Sequence, residues 1–92
     1  MTQLQRVRVP PEAQAQYNYY KRTDLHLAQV MAQTLQRLDK GPLKEAGQKK
    51  TSKGMAHWIR IDLPGAQRKQ YGIVWKEESD GTAVVSYIGY MP

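Results

Sequence analysis

Trp58-Ile-Arg-Ile-Asp-Leu63, then Tyr71-Gly-Ile-Val-Trp-Lys76, then Thr82-Ala-Val-Val-Ser-Tyr-Ile-Gly-Tyr90 are the three runs whose reading decides the fold. The first alternates Ile59, Ile61 and Leu63 with Trp58, Arg60 and Asp62, which is the period of a half-buried strand. The second puts Tyr71, Ile73 and Trp75 on one face, and the third is dense in β-branched and aromatic residues. Pro64-Gly65-Ala66 and Ser79-Asp80-Gly81 between them are turn residues of the kind hairpins need. Three sequential strands with short turns predict an antiparallel sheet. In the third strand the spacing predicts Val84, Ser86 and Ile88 facing the core, with Val85, Tyr87 and Gly89 facing out.

Upstream, the period changes. Leu27, Ala28, Met31, Leu35 and Leu38 fall on one helical stripe, opened by Thr23 or Asp24 as a cap and closed by Gly41-Pro42. Pro11-Glu12 opens an earlier helix, expected to run to about Lys21, with Ala13, Tyr17 and Tyr20 at helical spacing. Before it, Thr2 to Val9 alternates as a first strand, stopped by Pro10-Pro11. Leu43 to Gly54 is polar, rich in lysine and without period, and is expected to be a loop. The predicted order is β-α-α-β-β-β, an α+β fold with two N-terminal helices on an antiparallel sheet, and 92 residues make one domain spanning 1–92.

The chain has no cysteine, which excludes disulfides, thiolate metal sites and a catalytic thiol. No apolar run has the length of a signal peptide or a membrane span, so the expected location is cytoplasmic, with no membrane partner. The formal charge is +6. Nine basic residues against two acidic ones lie between Lys40 and Lys76, and that concentration favours a polyanion, nucleic acid first. The charge run by itself also suits a solvated loop.

Few residues qualify for chemistry. His26 and His57 are the only histidines, and no zinc spacing, phosphate loop or nucleophile elbow is present, so no metal or cofactor is expected. The outward face of the sheet would carry Trp58, Arg60 and Tyr87. A guanidinium there suits a phosphate, and the aromatic rings suit unpaired bases, although the same rings also serve as cross-strand packing pairs. His57 has the titration range of a general acid or base.

The element order, the basic stretch ending in Lys53-Gly54-Met55, and the pattern Trp58-Ile-Arg-Ile-Asp-Leu, Tyr71-Gly-Ile-Val-Trp and Val85-Ser-Tyr-Ile-Gly resemble the RelE/ParE toxin superfamily over nearly the whole chain. The resemblance implies a microbial-RNase-like fold, a type II toxin-antitoxin pair with a cognate antitoxin protein as partner, and inhibition of translation. In RelE-like members the activity is metal-free cleavage of mRNA on the ribosome, through attack of a ribose 2′-hydroxyl on the adjacent phosphate. The catalytic candidates are then Arg60, Arg68, Lys69, Tyr87 and His57. The candidate nucleic-acid contacts are Lys44, Lys49, Lys50, Lys53, Trp58 and Tyr90. Asp62 and Gly72 stand where such enzymes often carry further basic residues. The alternative is a ParE-like poison of DNA gyrase, or a basic domain that binds protein or nucleic acid without catalysis.

Overall fold

The computed structural model describes residues 4–52, 54–61 and 70–91. The elements are β1 (Val7–Arg8), α1 (Pro11–Thr23), α2 (Leu25–Lys40), β2 (Gly47–Thr51), β3 (Gly54–Ile61), β4 (Tyr71–Glu77) and β5 (Ala83–Tyr90). The strands form one sheet in the order β1-β5-β4-β3-β2. β1 runs parallel to β5 and the other three pairs are antiparallel, so the α+β class holds while the sheet is mixed, not wholly antiparallel.

Each helix follows its local signals. Pro11 occupies the first turn of α1 with Glu12 at the positive end of the dipole, and Lys21 and Arg22 close the negative end. The helix continues to Thr23, two residues past the expected end. Asp24 then caps α2, its carboxylate accepting the Leu27 N–H at 3.2 Å. α2 buries the predicted stripe of Leu27, Ala28, Met31, Leu35 and Leu38, and these meet Ile59, Ile61, Ile73, Trp75, Ala83, Val85 and Ile88 from the sheet in a single core. No helix among the described residues is long and apolar enough to cross a membrane.

Three expectations need correction. The polar stretch 43–54 is not all loop: β2 pairs along its length with β3, from Gly47 opposite Trp58 to Thr51 opposite Gly54. Among the described residues β2 has one neighbouring strand and four exposed residues, so it carries no buried face to write a hydrophobic period into the sequence. β3 accordingly starts at Gly54, four residues before the expected Trp58. The first strand pairs only at Val7 and Arg8 among the described residues. Asp62, Leu63 and the expected Pro64-Gly65-Ala66 turn lie outside the described residues.

The third correction concerns phase. Val74 pairs with Tyr87 and Trp75 with Val85, which leaves Ser86 without a partner residue in β4. This bulge shifts the alternation by one, so Ala83 and Val85 are buried at 0 % exposure before it and Ile88 at 1 % after it. Val85 therefore faces the core while Val84 and Ser86 do not, against expectation, whereas Ile88 faces in and Tyr87 out as expected.

The chain ends of α2 and β1 are tied by reciprocal polar contacts. Asp39 Oδ1 accepts the backbone N–H groups of Gln5, Arg6 and Val7, at 2.9 Å and 2.8 Å for the first and last. Arg6 answers with Nη2 and Nε on the Leu38 carbonyl at 2.7 and 3.1 Å, and with Nη1 on the Gly81 carbonyl at 3.0 Å. The amides, that of Gln5 foremost, hold the Asp39 carboxyl below the usual carboxylate range. A depressed folded-state value means stability that is complete above about pH 4 and lost as pH falls through the folded value. Asp39→Asn is therefore expected to cost about 2 kcal/mol at neutral pH in urea unfolding, and the gap from wild type should narrow below about pH 4.

Candidate nucleic-acid interface

Because Ile59 and Ile61 turn toward the helices, the alternation of β3 sends Ala56, Trp58 and Arg60 to the opposite, outer face. Gly47 stands opposite Trp58, and a Cβ there would lie 2.3 Å from the indole. The absent side chain lets the ring lie across β2. The Arg60 guanidinium carbon sits 5.7 Å from the centre of the Trp58 ring, within cation–π range. With Lys49, Ala56, Val74 and Met91 these two residues line an open groove of about 430 Å³.

On the other side of Arg60 the register aligns Arg60, Gly72 and Gly89 in one row across three strands. Two glycines in line leave a trough, and side chains from neighbouring positions fill it. Met91 lies over Gly72, where a Cβ would fall 2.1 Å from the Met91 sulfur and 2.7 Å from the Ile59 carbonyl oxygen. Tyr87 lies over Gly89, where a Cβ would be 3.0 Å from the Tyr87 hydroxyl.

The end of β5 then joins the two candidate residues. Arg60 Nη1 donates to the Gln70 side chain and, at 3.4 Å, to the Met91 carbonyl; the Tyr87 hydroxyl donates to the Tyr90 carbonyl at 2.7 Å. Two successive carbonyls thus place the guanidinium and the phenol at one terminus of the sheet. Around it stand Tyr20, Tyr71 and Tyr90 in edge-to-face contact, with centroids 5.6 and 6.1 Å apart. Burial, then the neighbouring Tyr71, Tyr87 and Tyr19, push the Tyr20 phenol above its usual value, so it stays a protonated donor.

His57 does not join this group. Its register partner is Trp75, whose ring is buried on the helix side, and the two rings stack at 5.9 Å with an interplanar angle of 16°. Being one residue from Trp58, it must face the other way. Lys44 lines a separate cavity with His57, on that same helix side. Lys50 pairs with Met55 and so alternates away from Lys49. The residues the structure brings to the outer face are therefore Lys49, Trp58 and Arg60, with Tyr87 toward its end; Tyr90, expected as a nucleic-acid contact, alternates with Ile88 and pairs with Tyr71, so its ring lies on the helix side. Lys53, Arg68 and Lys69 lie outside the described residues. Gln70 and Met91, which hold the Arg60 head, carry no local signal in the sequence; the matched Tyr-Gly-Ile and Ile-Gly-Tyr segments of β4 and β5 are the one hint of the trough.

Chemically, the outer face offers a cation poised over an indole, a second cation at Lys49, and the Tyr87 hydroxyl. That combination suits a phosphate next to an unpaired base. Among the described residues no group of three or more His, Asp or Glu side chains is arranged to hold a metal ion. Comparison with family models, with curated proteins and with solved structures gave no match.

The trough also gives a reason for Gly72 where the RelE resemblance suggests arginine. Met91 can swing aside, but the Ile59 carbonyl is backbone. Gly72→Arg is expected to lower stability by about 1–3 kcal/mol in thermal or urea unfolding.

Proposed function

We propose that the outer face of the sheet binds single-stranded RNA, and that the chain acts as a RelE/ParE-like toxin on mRNA at the ribosome. The observation that carries this reading is the Arg60 guanidinium held over the Trp58 ring, beside Lys49, on an open face of a basic chain. An unpaired base stacks on the indole and its phosphate meets the guanidinium, which the Gln70 side chain and the Met91 carbonyl hold in place.

In the cleavage step the 2′-oxygen bonds to the adjacent phosphorus as the bond to the 5′-oxygen breaks. Arg60 stabilises the charge that grows on the phosphoryl oxygens. Tyr87, whose hydroxyl shares the β5 terminus with Arg60, is the described group suited to move a proton there; His57, on the helix side, takes no part. A cognate antitoxin protein would hold this activity in check.

A second reading, RNA or protein binding without cleavage, draws on the same placement of His57: an acid–base pair facing Arg60 is not complete among the described residues. One experiment separates the two. The chain is induced in bacterial cells and new mRNA 5′ ends are mapped within minutes, for wild type and Arg60→Ala. Codon-phased cuts that vanish in the variant are expected. Growth arrest with intact mRNA would sink the nuclease reading and direct attention to DNA gyrase. In solution, Arg60→Ala should weaken binding of a single-stranded oligonucleotide and lower its salt slope by about 0.7, the share of one phosphate contact.

A further inference from the structure

Five of the six tyrosines gather around the free edge of β5 and the last turns of α1: Tyr19, Tyr20, Tyr71, Tyr87 and Tyr90. β1 pairs with β5 only at Ala83 and Val84, so from Ser86 onward the edge of β5 faces α1 instead of a strand. One edge amide is satisfied from the helix, where Gln16 Oε1 accepts the Ile88 N–H at 2.8 Å. Beside that contact a groove of about 330 Å³ remains, lined by Ala15, Gln16, Tyr19, Tyr20, Tyr87 and Ile88.

Three features of this groove point to one kind of occupant. One of its rings is presented to solvent, Tyr19 at 53 % exposure. A cation flanks it: Arg22, exposed in the last turn of α1 and three residues after Tyr19, lies on the same side of the helix. The acid that follows, Asp24, is turned to the Leu27 amide. Finally, Tyr87 links the groove to the end of the outer face. It lines the groove and bonds the Tyr90 carbonyl, next along the backbone to the Met91 carbonyl that Arg60 contacts.

We infer that the α1–β5 groove is a second nucleotide subsite, in which an unpaired RNA base stacks on Tyr19, the hydroxyl of Tyr20 meets its polar edge, and Arg22 holds the adjoining phosphate. The strand thus turns the end of the sheet, from Trp58 and Arg60 on the outer face to Tyr19 on the helix. The inference rests on the RNA-binding reading of the outer face and extends its reach by one or more nucleotides. An exposed ring with a cation beside it suits any base, because each has a π-face, so the subsite adds affinity without sequence preference.

The test uses the full chain and two fluorescein-labelled oligouridylates, of about 4 and about 12 nucleotides, a span suited to a small domain. Tyr19→Ala and Arg22→Ala change exposed residues and leave the core intact. Each is expected to weaken the long oligonucleotide about tenfold and leave the short one, held at Arg60, unchanged; Tyr19→Trp should retain wild-type affinity. Arg60→Ala should weaken both lengths. Long-strand binding that depends on Arg60 but ignores Tyr19 and Arg22 would overturn the subsite and leave the RNA-binding reading standing. Equal losses on both lengths in Tyr19→Ala would also overturn it, since Tyr19 would then act on the Arg60 face itself. No Arg60-dependent binding of either length would overturn both.

Discussion

Asp39 gathers three consecutive backbone N–H groups of the N-terminal segment on one carboxylate oxygen, while Arg6 from that segment closes on the Leu38 carbonyl at the end of α2. The exchange resolves two difficulties at once. The carbonyls at a helix C-terminus need donors, and a carboxylate near that end is repelled by the helix dipole unless donors surround it. Each half supplies what the other lacks. Through it the two-residue strand β1 is held beside β5, and the Arg6 contact with the Gly81 carbonyl ties in the β4–β5 turn as well. That anchor fixes the start of α1, and the Gln16 contact with the Ile88 amide then sets the helix against β5.

Register does the corresponding work on the other side of the sheet. Trp58, Val74 and Tyr87 make one row, and Arg60, Gly72 and Gly89 the next. Large residues in one row and glycines in its neighbour produce a step in the surface, and Arg60 stands at that step with an indole on one side and a trough on the other. The Ser86 bulge makes the alignment possible. It lets β5 bury Val85 and Ile88 while still bringing Tyr87 to the outer face.

Much of this is readable before any coordinates. The stripe of α2, the proline and acid that open α1, and the alternation of β3 and β4 are periodic signals produced by half-buried elements, and each element formed as its period required. Elements without a buried face leave no such trace, which is why Gly47–Thr51 reads as loop. Ala83-Val84-Val85-Ser86-Tyr87-Ile88 carries apolar residues in both phases, so neither phase marks where the alternation slips. For the candidate site, parity places Trp58 and Arg60 together and, applied consistently, sets His57 apart from them. Gln70 and Met91 are beyond such reasoning, because their contact with Arg60 depends on where two strands end.

β2 is an outermost strand of the sheet, and an exposed strand edge is a template on which a second chain can build. Lys49 and Lys50 sit in the middle of it, pointing to opposite faces. Two such strands brought edge to edge would set lysines against lysines, and that repulsion discourages self-assembly into larger sheets. Lys49 therefore answers to two demands: a cation for the groove and a guard against aggregation. Replacement of these lysines by apolar residues would call for another guard on the edge, such as a proline or a shorter strand.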